Sequence, residues 1–277
     1  MTVTVFALPD FSLRFLPIWR RNFLVWKKLA LASVLGNIAD PLITLIAFGY
    51  GLGSLLHTVN GIPYIQFLAS GSICMSIMMA ASFESLYSAF SRMHVQRTWE
   101  ALLNAPLALD DVVLAEMLWA ATKALFSGTA ILLVIFLLGI GLHPHTLLVL
   151  PILFLIGMTF ASLGLIVNAL ARSYDFFTYY FTLVLTPMVF LSGVYYPTGQ
   201  MPEWLQLFST VLPLGAAVNL VRPLILGEWP NAPWADLAVL FAYCAGGFYV
   251  ATILTRRRLL KWFFRHFCGL KVRYRAG

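Results

Sequence analysis

Charge is what this chain has least of. Only 10% of its 277 residues are Asp, Glu, Lys or Arg, against 61% hydrophobic, and the mean hydropathy is +0.86. That composition excludes a soluble fold of this length and points to an integral membrane protein. No G-x-x-x-x-G-K-[ST] run occurs, so the chain does not bind ATP in the P-loop manner. H-E-x-x-H and G-x-S-x-G are also missing, and no acid–base cluster marks a membrane enzyme. The three cysteines, Cys74, Cys244 and Cys268, fall in two apolar stretches and a basic tail, which excludes a disulfide framework. His57 with His143-Pro144-His145 is too thin a set for a metal site. A cleavable leader is not expected, because Pro9, Arg14, Pro17 and Arg20 interrupt the N-terminal apolar run.

Long apolar runs remain. Six of them reach the roughly 20 residues a bilayer helix requires: 34–56, 64–90, 112–141, 147–171, 176–196 and 234–254. The expected fold is an all-α integral membrane domain of six transmembrane helices over 34–255. A cytoplasmic N-terminal segment, 1–33, precedes it and a basic tail, 256–277, follows.

Eighteen Lys and Arg stand against eleven Asp and Glu, for a net charge of +7, and their placement orients the chain. Basic residues gather before the first run, at Arg92 and Arg97, at Arg172, and after the last run. By the positive-inside rule both termini are then cytoplasmic, and the loops near His57, His143 and Met201 are outside. Between Ile18 and Leu29 a helical projection sets Arg20, Arg21, Lys27 and Lys28 opposite Trp19, Val25, Trp26 and Leu29, with Leu24 breaking the pattern. That is the signature of an amphipathic interfacial helix, started near Pro17.

Polar residues inside the runs need partners, since an intramembrane charge costs at least about 2.5–3.5 kcal/mol. Glu84 is expected to pair with Lys123, with Glu116 one heptad below Lys123; Asn168 and Arg172 close the fourth run. Between the second and third runs a short helix is expected from Trp99 to Asn104, with Thr98 as its N-cap and Pro106 ending it. Trp99, Leu102 and Leu103 give it an apolar side that ought to dock on something. Asp110 and Asp111 suit the start of the third helix.

Tyr179, Tyr180, Phe190 and Tyr195 are read either as interfacial belts or as aromatics lining a pathway. The stretch 191–227 is apolar but broken by Pro197, Pro202, Pro213 and Pro223. Its pieces, Glu203 to Leu212 and Leu214 to Leu226, suit a re-entrant or interfacial helical hairpin between the fifth and sixth spans. Pro197, Pro202, Trp204 and Arg222 mark that hairpin as a cap on an exit. The tail suits anionic inner-leaflet lipid, and no nucleic-acid recognition module is present.

Several segments together resemble a known family. The R-T-x-E-x-L-L-x-x-P loop from Arg97 to Pro106, the outward SGVYYPTGQMPEWLQLFSTVLPL motif and Val221-Arg222-Pro223 are similar to those of ABC-2 export permeases. WRRNF, LASVLGNIADP, RTWEALL, ATKA and LTPMVFLSGVYYP resemble the branch that exports lipo-oligosaccharides. The resemblance implies a bacterial inner-membrane permease without catalytic activity or cofactor of its own. Two copies would pair through spans one and five, each binding one cytoplasmic ABC ATPase subunit that carries the ATP and Mg. The loop helix would be the coupling helix, with Arg97, Thr98, Trp99, Glu100 and Leu103 at the ATPase. The substrate implied is a lipo-oligosaccharide or glycolipid-like amphiphile moved outward. Drug export by the same family, and proton-coupled transport through Glu84 and Lys123, are the rival readings.

Overall fold

The computed structural model describes residues 8, 9, 12–59, 61–105 and 107–267. Pro106 and the last ten residues of the basic tail, Cys268 among them, lie outside the described residues. Five helices are long and apolar enough to cross a membrane: Ala30–Leu56, Tyr64–Val95, Leu109–Leu137, Pro144–Leu170 and Pro233–Leu259. They fall on the first four apolar runs and the last, and are called spans one to four and six.

The fifth run differs from expectation. Its helix, Asp175–Leu191, is short of the roughly 20 residues a crossing requires. Pro187 accounts for part of this. It has no N–H to donate, its ring crowds the carbonyl of Leu183, and the backbone from Phe181 to Leu185 relaxes into a π turn. The chain then turns at Gly193, whose φ of 73° only glycine adopts without strain. A two-residue β ladder, Thr58–Val59 with Ile62–Pro63, joins spans one and two and is the other departure from an all-helical chain.

Span two is the centre of the bundle. It is buried along nearly its whole length by spans one, three and four and by the helix Pro213–Leu226, whereas most of span one is exposed. Spans four and six pack closely because their contact is lined by small residues. A Cβ on Gly247 would run into Ser162, and Thr159 Oγ1 donates to Leu240 O at 3.1 Å across the same seam. On span three's side, Gly157 lies directly against the backbone of Ala121.

The N-terminal helix, Phe15–Lys27, packs on span three. Trp19 Nε1 donates to Thr122 Oγ1 at 3.1 Å, and Trp26 stacks on Phe126 with ring centroids 5.2 Å apart. The inward stripe is Ile18 and Asn22, which are buried, with Trp19, Phe23 and Trp26, which are half-buried, so the apolar side anticipated from the projection is shifted: Val25 and Leu29 are exposed. A groove between neighbouring side chains selects the stripe, and a count of apolar residues does not see it.

Prolines break the hairpin region as expected. Helices Glu203–Val211 and Pro213–Leu226 meet at 84°. Leu212, placed before a proline, is pushed into extended backbone at the corner. The second helix is almost wholly buried, while the first exposes Trp204, Leu207, Phe208 and Val211. At the other end of the chain, one helix runs from Pro233 to Phe267, straight through the boundary drawn at 255/256. Arg256, just past that boundary, pairs with Asp110 at the start of span three, and Arg258 Nη1 donates to the carbonyls of Asn168 and Ala169. The tail therefore begins as part of the bundle.

Candidate functional site

Two groups of charged side chains stand out among the described residues. At the first, span two ends in successive π turns, Glu84–Ser88 and Ser91–Val95. Eight residues after Glu84, the helix carries Arg92 back over it. Lys123 Nζ lies 2.7 Å from Glu84 Oε2, and Arg92 Nη2 lies 3.0 Å from Glu84 Oε1. Arg92 also grips the second carboxylate, with Nε donating to Glu116 Oε1 at 2.9 Å and Nη2 to Glu116 Oε2 at 2.5 Å. Two indoles complete the network: Trp119 Nε1 donates to Glu84 at 2.9 Å and Trp99 Nε1 to Glu116 at 3.2 Å. Ser88 Oγ adds a bond to Glu84 at 2.8 Å.

Glu84 and Glu116 are 2% and 1% exposed, so neither has water to replace a lost partner. Two carboxylates face two cations, and the network is neutral as a unit. Deleting one member of such a set strands a buried charge, at a cost of about 3–5 kcal/mol. The pairing of Lys123 with Glu84 follows from their places in the apolar runs, whereas Arg92 falls by sequence in the loop between two runs. The available signal was its spacing of about two helical turns from Glu84.

The loop helix, Thr98–Leu103, starts from Arg97 in left-handed backbone with φ 49°. Thr98 is therefore the first helical residue and not the N-cap; its hydroxyl lies 3.5 Å from Gln96 Oε1. Trp99 is 1% exposed and points into the ion network, so the apolar side expected to seek an outside partner is docked on the chain's own core. Leu103 is half-buried and Glu100 half-exposed, while Arg97, Ala101 and Asn104 form the exposed stripe. Asn168 sits behind the network and donates to Ser85 O at 2.8 Å, holding the start of the π turns. Arg172 takes no part. Span four ends at Leu170, and Arg172 is exposed in the bend beyond it.

Arg222 marks the second. It lies in the helix Pro213–Leu226, and among the described residues no carboxylate is within ion-pair reach of it. Its Nε donates to Ser70 Oγ at 3.1 Å and its Nη2 to Gly193 O at 2.7 Å and Phe67 O at 3.4 Å. The guanidinium stacks 3.7 Å over the Phe67 ring. Pro197 lines a 620 Å³ cavity with Arg222, whereas Pro202 and Trp204 are exposed.

The four aromatics singled out from sequence differ in exposure. Tyr180 is buried and Tyr179 is 64% exposed on the far side. Phe190 and Tyr195 do meet, at 5.6 Å between ring centroids, with Phe48 5.8 Å from Tyr195. Among the described residues no group of three His, Cys, Asp or Glu side chains is arranged to hold a metal ion.

Comparison with known proteins adds to this geometry. Residues 14–226 match the family model described as ABC-2 type transporter. The chain is 48% identical to Nodulation protein J of Rhizobium leguminosarum bv. viciae over 257 residues, covering 93% of this chain and 99% of that protein. It is 45% identical to Nodulation protein J of Rhizobium meliloti (strain 1021) over 256 residues, 92% of this chain and 98% of that one. Inner membrane transport permease YadH of Escherichia coli (strain K12) is 25% identical over 211 residues, 76% and 82% of the two chains.

Proposed function

The chain belongs to the ABC-2 type transporter family, and from that premise we propose that it is the permease subunit of an ATP-driven exporter in the bacterial inner membrane. Two copies pair, each binds one cytoplasmic ABC ATPase subunit, and the cargo is a lipo-oligosaccharide or glycolipid-like amphiphile moved outward. The similarity to Nodulation protein J over nearly the whole chain supports the exporter branch. In this reading the loop helix and both termini face the cytoplasm, the N-terminal helix lies at the inner interface, and the bent hairpin re-enters from outside.

One observation carries the mechanism: a six-residue helix on the inner loop has its tryptophan bonded to the ion network between spans two and three. The exposed stripe of Arg97, Ala101 and Asn104, with Glu100 beside it, is the surface for the ATPase. When the ATPases close, the stripe moves, and Trp99 passes that movement through Glu116 and Arg92 to Glu84 and Lys123. The network moves as one because Glu84, Arg92 and Glu116 are each tied to two or more partners, and Lys123 is held by Glu84. The same geometry argues against a proton relay, since cations, an indole and a hydroxyl already occupy the Glu84 oxygens.

ATP hydrolysis by the permease co-purified with candidate P-loop ATPases in lipid, with and without glycolipid extract, is the test. Glycolipid should stimulate hydrolysis, and Glu100→Arg should abolish transport while the membrane domain stays folded. Stimulation by hydrophobic drugs alone would overturn the cargo and leave the exporter. Transport that follows the proton gradient with no ATPase bound would overturn the exporter itself.

A further inference from the structure

The helix Pro213–Leu226 is buried nearly everywhere except on the face that carries Asn219 and Arg222, three residues apart and so on one side. That face opens onto two adjoining cavities of 620 Å³ and 420 Å³, which share Asn219, Arg222, Pro223 and Asn231. Each lies within the roughly 300–1,000 Å³ of small-molecule sites. Gln200 and Glu228 line the larger and Asp236 the smaller. Arg222, two carboxylates and three amides thus converge on one concave surface.

The donor set narrows what would bind. Arg222 is fixed on one side by Ser70, Phe67 and Gly193, which leaves its Nη1 with no bond among the described residues. A simple anion would be served by the guanidinium, but Glu228 and Asp236 on the same walls repel it. A hydrocarbon chain has no use for amides and carboxylates. Vicinal hydroxyls match the set: they accept from a guanidinium or amide N–H and donate to a carboxylate or amide oxygen. The Arg222 fork is held rigid before any ligand arrives, so little ordering cost remains.

We propose that these joined cavities form a saccharide subsite that receives the sugar portion of the cargo at the outer end of the permease. This rests on the export reading above for the cargo, and on the cavity alone for the chemistry. Asn219→Leu removes an amide from the wall without touching the bonds that anchor Arg222. Arg222→Lys keeps the charge but loses the fork.

The test is calorimetric titration of the full-length permease in nanodiscs, without ATPase, using cellotetraose, N-acetylchitotetraose and inorganic phosphate as separate probes. Saturable binding of a tetrasaccharide is expected, weakened about tenfold or more by Asn219→Leu in a variant that still unfolds cooperatively. Arg222→Lys should weaken it as well. No tetrasaccharide binding, or binding that both variants leave intact, overturns the subsite. Binding of phosphate alone overturns it in favour of an anion site. Because no ATPase is present, loss of ATP-driven transport would not mimic any of these outcomes. Drug-stimulated hydrolysis with no sugar binding would leave the exporter standing and remove only the subsite.

Discussion

The network around Glu84 and the pocket around Arg222 solve one problem in two ways. Both bury charge in a bundle with little charge to spare. In the first, Arg92 and Lys123 meet Glu84 and Glu116 at 2.5–3.0 Å, and the set is neutral. Among the described residues Arg222 has only a hydroxyl, two carbonyls and a ring face. Opposite charges close on each other and make a brace. Neutral dipoles steady a charge without cancelling it, which keeps it available to a ligand.

Five variants would break or sharpen that contrast. Glu84→Leu should have the largest effect, about 3–5 kcal/mol of stability, read from thermal unfolding in detergent or lipid. Adding Lys123→Leu restores charge balance and should recover part of the loss. A double variant no better than the single one would mean that the brace is not a charge-matched unit. Arg222→Met should cost less, about 1.5–3 kcal/mol, because it removes charge-assisted bonds but strands no opposite charge. A cost equal to that of Glu84→Leu would erase the distinction between brace and open site.

Trp99→Phe keeps the ring and loses one N–H to Glu116, for about 1–2 kcal/mol. Its sharper readout is functional: ATP hydrolysis should persist while transport per ATP falls. Equal loss of both would place Trp99 in folding only. Trp19→Phe, which loses the bond to Thr122 outside the network, should cost about 0.5–1.5 kcal/mol and leave coupling unchanged. Impaired coupling in that variant would extend the moving unit to the N-terminal helix.

The positions of the helices were largely legible, because hydropathy is a property of local composition. Spans two, three and four lie where their apolar runs predict, and Leu212 bends where Pro213 requires it. The fifth helix was read too long, since the π turn before Pro187 and the turn at Gly193 depend on backbone geometry and not on hydropathy. The site was legible only in pieces. Glu84 and Lys123 stand out in the sequence as charges in apolar runs, whereas Arg92 reads there only as a marker of orientation. Trp99 was seen as apolar and exposed, yet its indole N–H is what ties the loop to the network.

What the sequence alone determined is a membrane-spanning helical composition, most of the spans and the proline break between the helices Glu203–Val211 and Pro213–Leu226, all of which follow from composition and short-range rules. Tertiary structure decided which charges meet and which stays open. Arg92 reaches Glu116 across 24 residues, and Arg222 reaches Ser70 across 152. Those meetings depend on the rotation and register of each helix, set by small-residue contacts such as Gly157 on Ala121. Composition constrains how much charge must find a partner; packing geometry alone assigns the partner.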